Sequence, residues 1–145
     1  MVKTDGGRAT IFLIEEDDDT RGPLVYNLRG YGYRVLISVD EESALDMADG
    51  HVPADLILVN LVGKSVEEAL DLGRRVREHA KYDGVTPLVV MPEKYGKDVE
   101  GTEANVGGND WIFYLGEEPS QLRDLLARLT SDTSDPRAGR QSARS

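Results

Sequence analysis

An α/β domain on a doubly wound, five-stranded parallel sheet with helices on both faces is the fold class predicted by this chain of 145 residues. Three observations point there. Five short apolar runs recur along the chain, and segments with helical periodicity alternate with them. The runs are almost continuously apolar, which marks strands buried on both faces rather than half-solvated ones. Right-handed crossovers then leave few topologies, and the functional crevice of such sheets lies outside the carboxyl ends of the strands.

Each element has its own justification. Residues 10 to 14, TIFLI, form the first strand, followed at once by the acidic run EEDDD. Leu24, Leu28 and Tyr31 fall at helical spacing with Val25 beside them, so a helix is expected over about 20 to 31. Pro23 is placed in its first turn and Gly30 and Gly32 mark its end. The second strand is YRVLISV, 33 to 39. Asp40 then caps a short helix that runs to about Ala48, with Gly50 as its stop signal. The third strand is DLILVN, 55 to 60. Ser65 to Glu68 has capping-box spacing, and Val66, Ala69, Leu72 or Gly73, and Val76 make one apolar stripe. TPLVVM, 86 to 91, is the fourth strand. The helix expected next is weak, because EKYGKDVEGTEANVGG carries Gly96 and Gly101 inside its span. WIFYL, 111 to 115, is the fifth strand. Pro119 opens a last amphipathic helix carrying Leu122, Leu125, Leu126 and Leu129. The division expected is an N-terminal extension over 1–9, one domain over 10–130 and a flexible tail over 131–145.

Composition narrows the function classes. Lys and Arg total 17 against 27 Asp and Glu, a formal charge of -10, so the body of the domain repels phosphate backbones and is not expected to bind nucleic acid. Only the tail reverses the sign, with Arg137, Arg140 and Arg144. No run of apolar residues is long enough for a membrane span, and MVKTDGGRAT has no apolar leader. There is no cysteine, which removes disulfides, thiolate metal sites and cysteine nucleophiles and fits a cytoplasmic location. Two histidines, His51 and His79, give little material for metal clusters or Ser-His-Asp triads.

The chemistry is therefore sought at the strand ends: Glu15 and Glu16, Asn60, Pro92 and Tyr114. The run IFLIEEDDDTR reads either as a solvated acidic loop or as a divalent-cation site, since Mg²⁺ is content with one or two carboxylates plus waters. No glycine-rich phosphate loop is present, so nucleotide binding by a P-loop or dinucleotide fold has no support.

Residues 10 to 130 resemble the receiver domain of two-component response regulators, a flavodoxin-like fold. The resemblance rests on IEEDDDTR, DLILVNL, TPLVV and GGNDWIFYL in their order and spacing. It implies an acidic pair holding Mg²⁺, a phosphoacceptor Asp ending the third strand, a Thr or Ser ending the fourth, and a Lys followed by Pro ending the fifth. In this chain the acidic pair falls on Glu15 and Glu16. The acceptor position falls on Asn60, the hydroxyl on Pro92, the lysine on Tyr114 and the proline on Leu115. A carboxamide is no carboxylate nucleophile, proline offers neither hydroxyl nor N–H, and tyrosine supplies no fixed positive charge. Losing the acid and the lysine together strands neither charge. A single Asp-to-Asn replacement would leave Pro92 and Tyr114 unexplained.

The resemblance also places Trp111 at a switch position, with Phe113 and Tyr114 beside it on a face used for contacts. The expectation is thus a degenerate receiver, a pseudo-receiver, that is not an enzyme. It signals without phosphorylation through a protein partner, a histidine kinase or an output protein, as a monomer or homodimer. It needs no cofactor, with weak Mg²⁺ binding at Glu15 and Glu16 allowed. The alternatives are a phosphorylatable receiver in a phosphorelay with an altered acceptor, and a small α/β nucleotide-binding enzyme.

Overall fold

The computed structural model describes residues 9–82 and 84–134. In chain order the elements are β1 (Thr10–Glu15), α1 (Asp18–Gly30), β2 (Arg34–Ser38), α2 (Glu41–Asp49), β3 (Leu56–Asn60), α3 (Val66–His79), β4 (Leu88–Val90), β5 (Glu103–Gly107), β6 (Asp110–Phe113) and α4 (Pro119–Ser134). The sheet order is β2-β1-β3-β4-β6-β5. The first five strands in that order run parallel, and only β5 pairs antiparallel, with β6. The order reverses between β1 and β3, so their carboxyl ends flank the crevice where such sheets place their sites.

The apolar runs are buried on both faces, as continuous patterning demands. Phe12, Ile14, Ile57, Val59, Leu88 and Val90 pack against Ala44 and Ala48 of α2 and Leu72 and Val76 of α3. Ile11, Leu13, Leu58, Val89 and Phe113 pack against Val25 and Leu28 of α1 and the four leucines of α4. Gly73 of α3 lies where a Cβ would fall 2.3 Å from Leu88 Cδ1, so helix and sheet meet here at a distance only glycine permits. Both capping boxes form, Asp40 with Ser43 and Ser65 with Glu68.

Three expectations are corrected. The fourth helix does not form. A single 3₁₀ turn over Lys97–Val99 precedes the hairpin β5–β6, so the sheet has six strands, not five. The reason lies in the sequence: the segment has no apolar stripe at helical spacing, and its two central glycines disfavour helix. Gly107 and Gly108 take φ of 129° and 53°, conformations that suit a tight hairpin turn and glycine best. With no helix on that flank, α3 closes it: Arg74 Nε and Arg77 Nη1 each donate at 2.8 Å to the Asp110 carboxylate. Second, α1 starts at Asp18, capped by Asp17, whose side chain accepts from the Asp19 N–H. Pro23 therefore sits inside the helix rather than in its first turn. Third, α4 continues through Ser134, past the expected start of the tail. No helix breaker occurs before Pro136. Ala9, assigned to the N-terminal extension, is buried and its carbonyl accepts from the Arg34 N–H. Residues 1–8 and the remainder of the tail, 135–145, with its three arginines, lie outside the described residues.

Candidate functional site

The carboxyl ends of β1, β3, β4 and β6 stand side by side: Glu15 and Asn60 are the last residues of β1 and β3, Pro92 follows β4 by two residues and Tyr114 follows β6 directly. Glu15 and Asn60 are cross-strand partners in the β1–β3 register. Asn60 Nδ2 donates to both carboxylate oxygens of Glu15, at 2.9 and 3.1 Å, and the Asp17 N–H donates to Oε2 at 3.1 Å. Glu15 is 0% exposed. Burial is the largest influence on its carboxyl and raises its pKa above the ordinary range, against the opposing hydrogen bonds from Asn60 and Asp17. Arg21 does not pair with this carboxylate. Its guanidinium donates to the Glu15 backbone carbonyl at 2.7 Å and forms an ion pair with Asp18.

Glu16 and Asp17 of the acidic run are turned to backbone N–H groups. Glu16 Oε1 accepts from the Val62 N–H at 2.9 Å, which ties the β3–α3 loop to β1. Asp17 caps α1 and also accepts from the Thr20 hydroxyl at 2.6 Å. That hydroxyl, then the Asp19 N–H, holds the Asp17 carboxyl below the usual range. Glu15 and Glu16, expected as a cation pair, are thus turned to different partners, Asn60 and Val62. Among the described residues no group of three His, Cys, Asp or Glu side chains converges as a metal site. Mg²⁺ asks for accessible carboxylates and room for several waters, and a sealed carboxylate already holding an amide does not offer that. The donors present do not fit a preformed Mg²⁺ site.

Pro92 lines a cleft of about 330 Å³ between the end of β4 and the start of α3, with Leu61, Ser65, Val66 and Lys94 among its walls. Tyr114 is fixed through its backbone: its N–H donates to the Thr102 carbonyl at 2.9 Å and its carbonyl accepts from the Gly101 N–H at 2.6 Å. Its ring meets Tyr95 edge-on, with centroids 5.5 Å apart. The Tyr95 hydroxyl donates to the Leu115 carbonyl. An aromatic pair therefore anchors the segment that replaces the expected helix. No peptide bond in the described chain is cis, in keeping with Leu115 following Tyr114.

Of the three aromatic residues expected to form a contact face, Trp111 is half-buried and its indole N–H donates to Asn109 at 3.0 Å. Tyr114 is half-buried. Phe113 is 1% exposed in the core beneath α1 and α4, so it offers no area to a partner. Sequence reasoning missed Tyr95, Arg21 and the Asp110 clamp. The Tyr95 and Asp110 contacts join segments 20 to 36 residues apart, which no local spacing announces, whereas Arg21 pairs locally with Asp18 at the i,i+3 spacing of a helix. At Asp110 burial acts to raise the pKa, but the hydrogen bonds from Arg77 and Arg74 outweigh it and hold the carboxyl below its ordinary value.

No protein-family model matches the chain. It is 25% identical over 121 residues to the transcriptional regulatory protein YxdJ of Bacillus subtilis, covering 83% of this chain and 48% of that protein. The chain spans about half the length of the curated relatives it matches. Among solved structures it is similar to a response regulator receiver protein of Sinorhizobium medicae, with TM-score 0.66, 16% identity and coverage of 86% of this chain and 95% of that one. It is also similar to the receiver domain of the Pseudomonas aeruginosa sensor histidine kinase PA1611, which holds a magnesium ion in its active-site cleft. There the TM-score is 0.61 at 22% identity, covering 86% and 98%. The five parallel strands, the switch point at β1 and β3 and these likenesses agree: the chain has the receiver fold of two-component response regulators, with β5 added at the edge as an antiparallel strand.

Proposed function

We propose that this domain is a receiver-type signalling module that works by protein contact and carries out no phosphoryl transfer, and that it is not an enzyme. One observation carries the reading. The side chain at the end of β3 is an amide, and it is already committed as a donor to the buried Glu15 carboxylate. An amide so placed is no carboxylate nucleophile. Pro92 and Tyr114 remove the two donors that a transferring phosphoryl group would need. Divalent-cation binding at Glu15 and Glu16 is weak in this reading, because a cation must take Glu16 from the Val62 N–H and Glu15 from Asn60. The partner is a protein of a two-component pathway, a histidine kinase or an output protein, met in part through Trp111 and Tyr114.

The test is exposure of the full chain to acetyl phosphate and to beryllofluoride with Mg²⁺. The expected result is no covalent adduct by intact-mass measurement and no change in Trp111 fluorescence. A gain of about 80 Da, the mass of one phosphoryl group, mapping to the strand-end pocket would overturn the proposal.

A further inference from the structure

A second feature lies at the edge of the sheet formed by β2. The Arg34 N–H donates to the Ala9 carbonyl at 3.0 Å, so Arg34, Leu36 and Ser38 turn their backbone groups to β1. Alternation along the strand turns those of Val35 and Ile37 outward. On the α1 side of this edge large apolar side chains stand in water. Tyr26 is 79% and Ile37 is 37% exposed, both on the walls of an open groove of about 650 Å³, and Val39 just past the strand is 46% exposed. Monomeric proteins blunt such an edge with lysine, proline or a bulge. The run YRVLISV has none of these and a single charge, Arg34. The other edge of the sheet is blunted, since β5 has a bulge between Asn105 and Gly107 and carries Glu103 paired with Arg128.

What fits this edge is a second copy of itself. An antiparallel pair centred on Leu36 sets Val35 of each copy opposite Ile37 of the other, and each such pair exchanges both of its N–H···O bonds. Leu36 then meets Leu36 and Arg34 faces Ser38, so no like charges stand opposite each other. The ends of the edge are oppositely charged. Arg29 and Arg34 lie at its start, Asp40 and Glu42 beyond its end, and all four are exposed. Arg29, Arg34 and Glu42 have no ion-pair partner among the described residues. Antiparallel pairing brings the basic start of one copy to the acidic end of the other, a local attraction. Salt screens the repulsion between the more distant charges of two chains that each carry a formal -10. The chain's own first residues, MVKTDGGR, offer only Met1 and Val2 to the exposed apolar side chains.

We infer that two copies of the chain join through their β2 edges, antiparallel about Leu36, into one continuous sheet. The inference goes beyond the proposed function and fails separately from it, since phosphodonor labelling reports on the strand-end pocket and not on the β2 edge.

The chain has no cysteine, so a single introduced one reports the register. In the pair, Leu36 stands opposite itself between ladder bonds, at a Cα–Cα distance of about 4.5 Å that a disulfide can span. Leu36→Cys, equilibrated at about 100 µM in a glutathione redox buffer, should become a disulfide-linked dimer, and Val106→Cys on the opposite edge should not. Sedimentation of the unmodified full chain should show a dimer at about 100 µM that dissociates on dilution. The Val35 and Ile37 amides should exchange with deuterium more slowly in the concentrated sample. Ile37→Lys places a charge on the edge, and Arg34→Glu sets like charges against Asp40 and Glu42 of the second copy. Each should weaken the dimer roughly tenfold or more while leaving the circular dichroism of the dilute protein unchanged, and adding Glu42→Lys to Arg34→Glu should recover affinity. Equal cross-linking by the two cysteines, or a dimer that neither variant weakens, would overturn the inference. So would a full chain that stays monomeric at about 100 µM, and if removing residues 1–8 then produced the dimer, that segment would be the occupant of the edge.

Discussion

Replacing Asn60 by Asp sets two carboxylates against each other where an amide now donates to Glu15 at 2.9 and 3.1 Å. Two costs follow. Hydrogen bonds to a charged acceptor, worth roughly 1.5–3 kcal/mol, are lost. Like charges about 3 Å apart in a sealed site also repel by several kcal/mol even at a generous effective dielectric constant of about 20. Proton uptake sets the ceiling. Protonating one carboxyl of ordinary pKa near 4 at pH 7 costs about 4 kcal/mol, at about 1.36 kcal/mol per unit, and the protonated acid then donates to its neighbour again. The variant should therefore be about 2–4 kcal/mol less stable than the parent at pH 7, a drop of very roughly 10 °C in melting temperature for a domain of this size. The sign with pH is fixed. The folded variant holds one proton more than its unfolded chain between about pH 4 and 7, so the deficit grows as pH rises and shrinks by about 1.4 kcal/mol per unit as pH falls. Urea melts of both proteins at pH 7 and pH 4.5 measure it. Equal stability at both values would refute the reasoning, because the Glu15 carboxylate would then not be sealed against Asn60. The same variant should still fail to take phosphate from acetyl phosphate. Two absent donors, each worth about 2–4 kcal/mol to a transferring group, slow the step roughly a thousand-fold or more.

The other predictions probe separate contacts. Glu15→Gln keeps an acceptor for Asn60 and removes a buried charge. Because burial raises the Glu15 pKa, the parent should lose stability relative to this variant as pH rises through that pKa and regain it below the ordinary glutamate range, as paired thermal melts from pH 4 to 8 will show. Gly73→Ala, which helix propensity alone makes favourable by about 1 kcal/mol, should instead destabilise by about 1–2 kcal/mol, since the new methyl meets the fully buried Leu88. Asp110→Ala frees Arg74 and Arg77 and should cost about 2–3 kcal/mol by denaturant melts, less than a fully buried pair because Arg74 is half in water. For the parent, this contact is present above the ordinary Asp range and is lost as pH falls through the lowered Asp110 pKa.

Much of this fold was legible because burial on both faces writes itself into a sequence. β1, β3 and β4 are runs no solvated strand would carry, and Asp40 and Ser65 announced their helices through caps that form as expected. The fourth connection was not legible as a hairpin. GGND between the weakly apolar EANV and the strand WIFYL reads equally well as a helix-ending loop, and what decides is the pairing of Asn105 with Trp111, a tertiary fact. At the site, the positions of Asn60, Pro92 and Tyr114 could be read from spacing alone. The commitments of the acidic run could not. Whether a carboxylate faces a cation, a helix end or a loop N–H depends on where the β3–α3 loop passes, and Glu16 and Val62 are 46 residues apart.

Tyr114 reaches further than its own strand end. Its ring holds Tyr95 and with it the path of the chain into the hairpin. A lysine there would remove an aromatic contact worth about 0.5–1.5 kcal/mol beyond its buried area, with no acid at position 60 to receive the ammonium. An acid at position 60 would in turn stand against Glu15 with nothing to neutralise the pair. Each of these two substitutions is uphill when made alone, so the amide and the tyrosine hold one another in place, as a ratchet does.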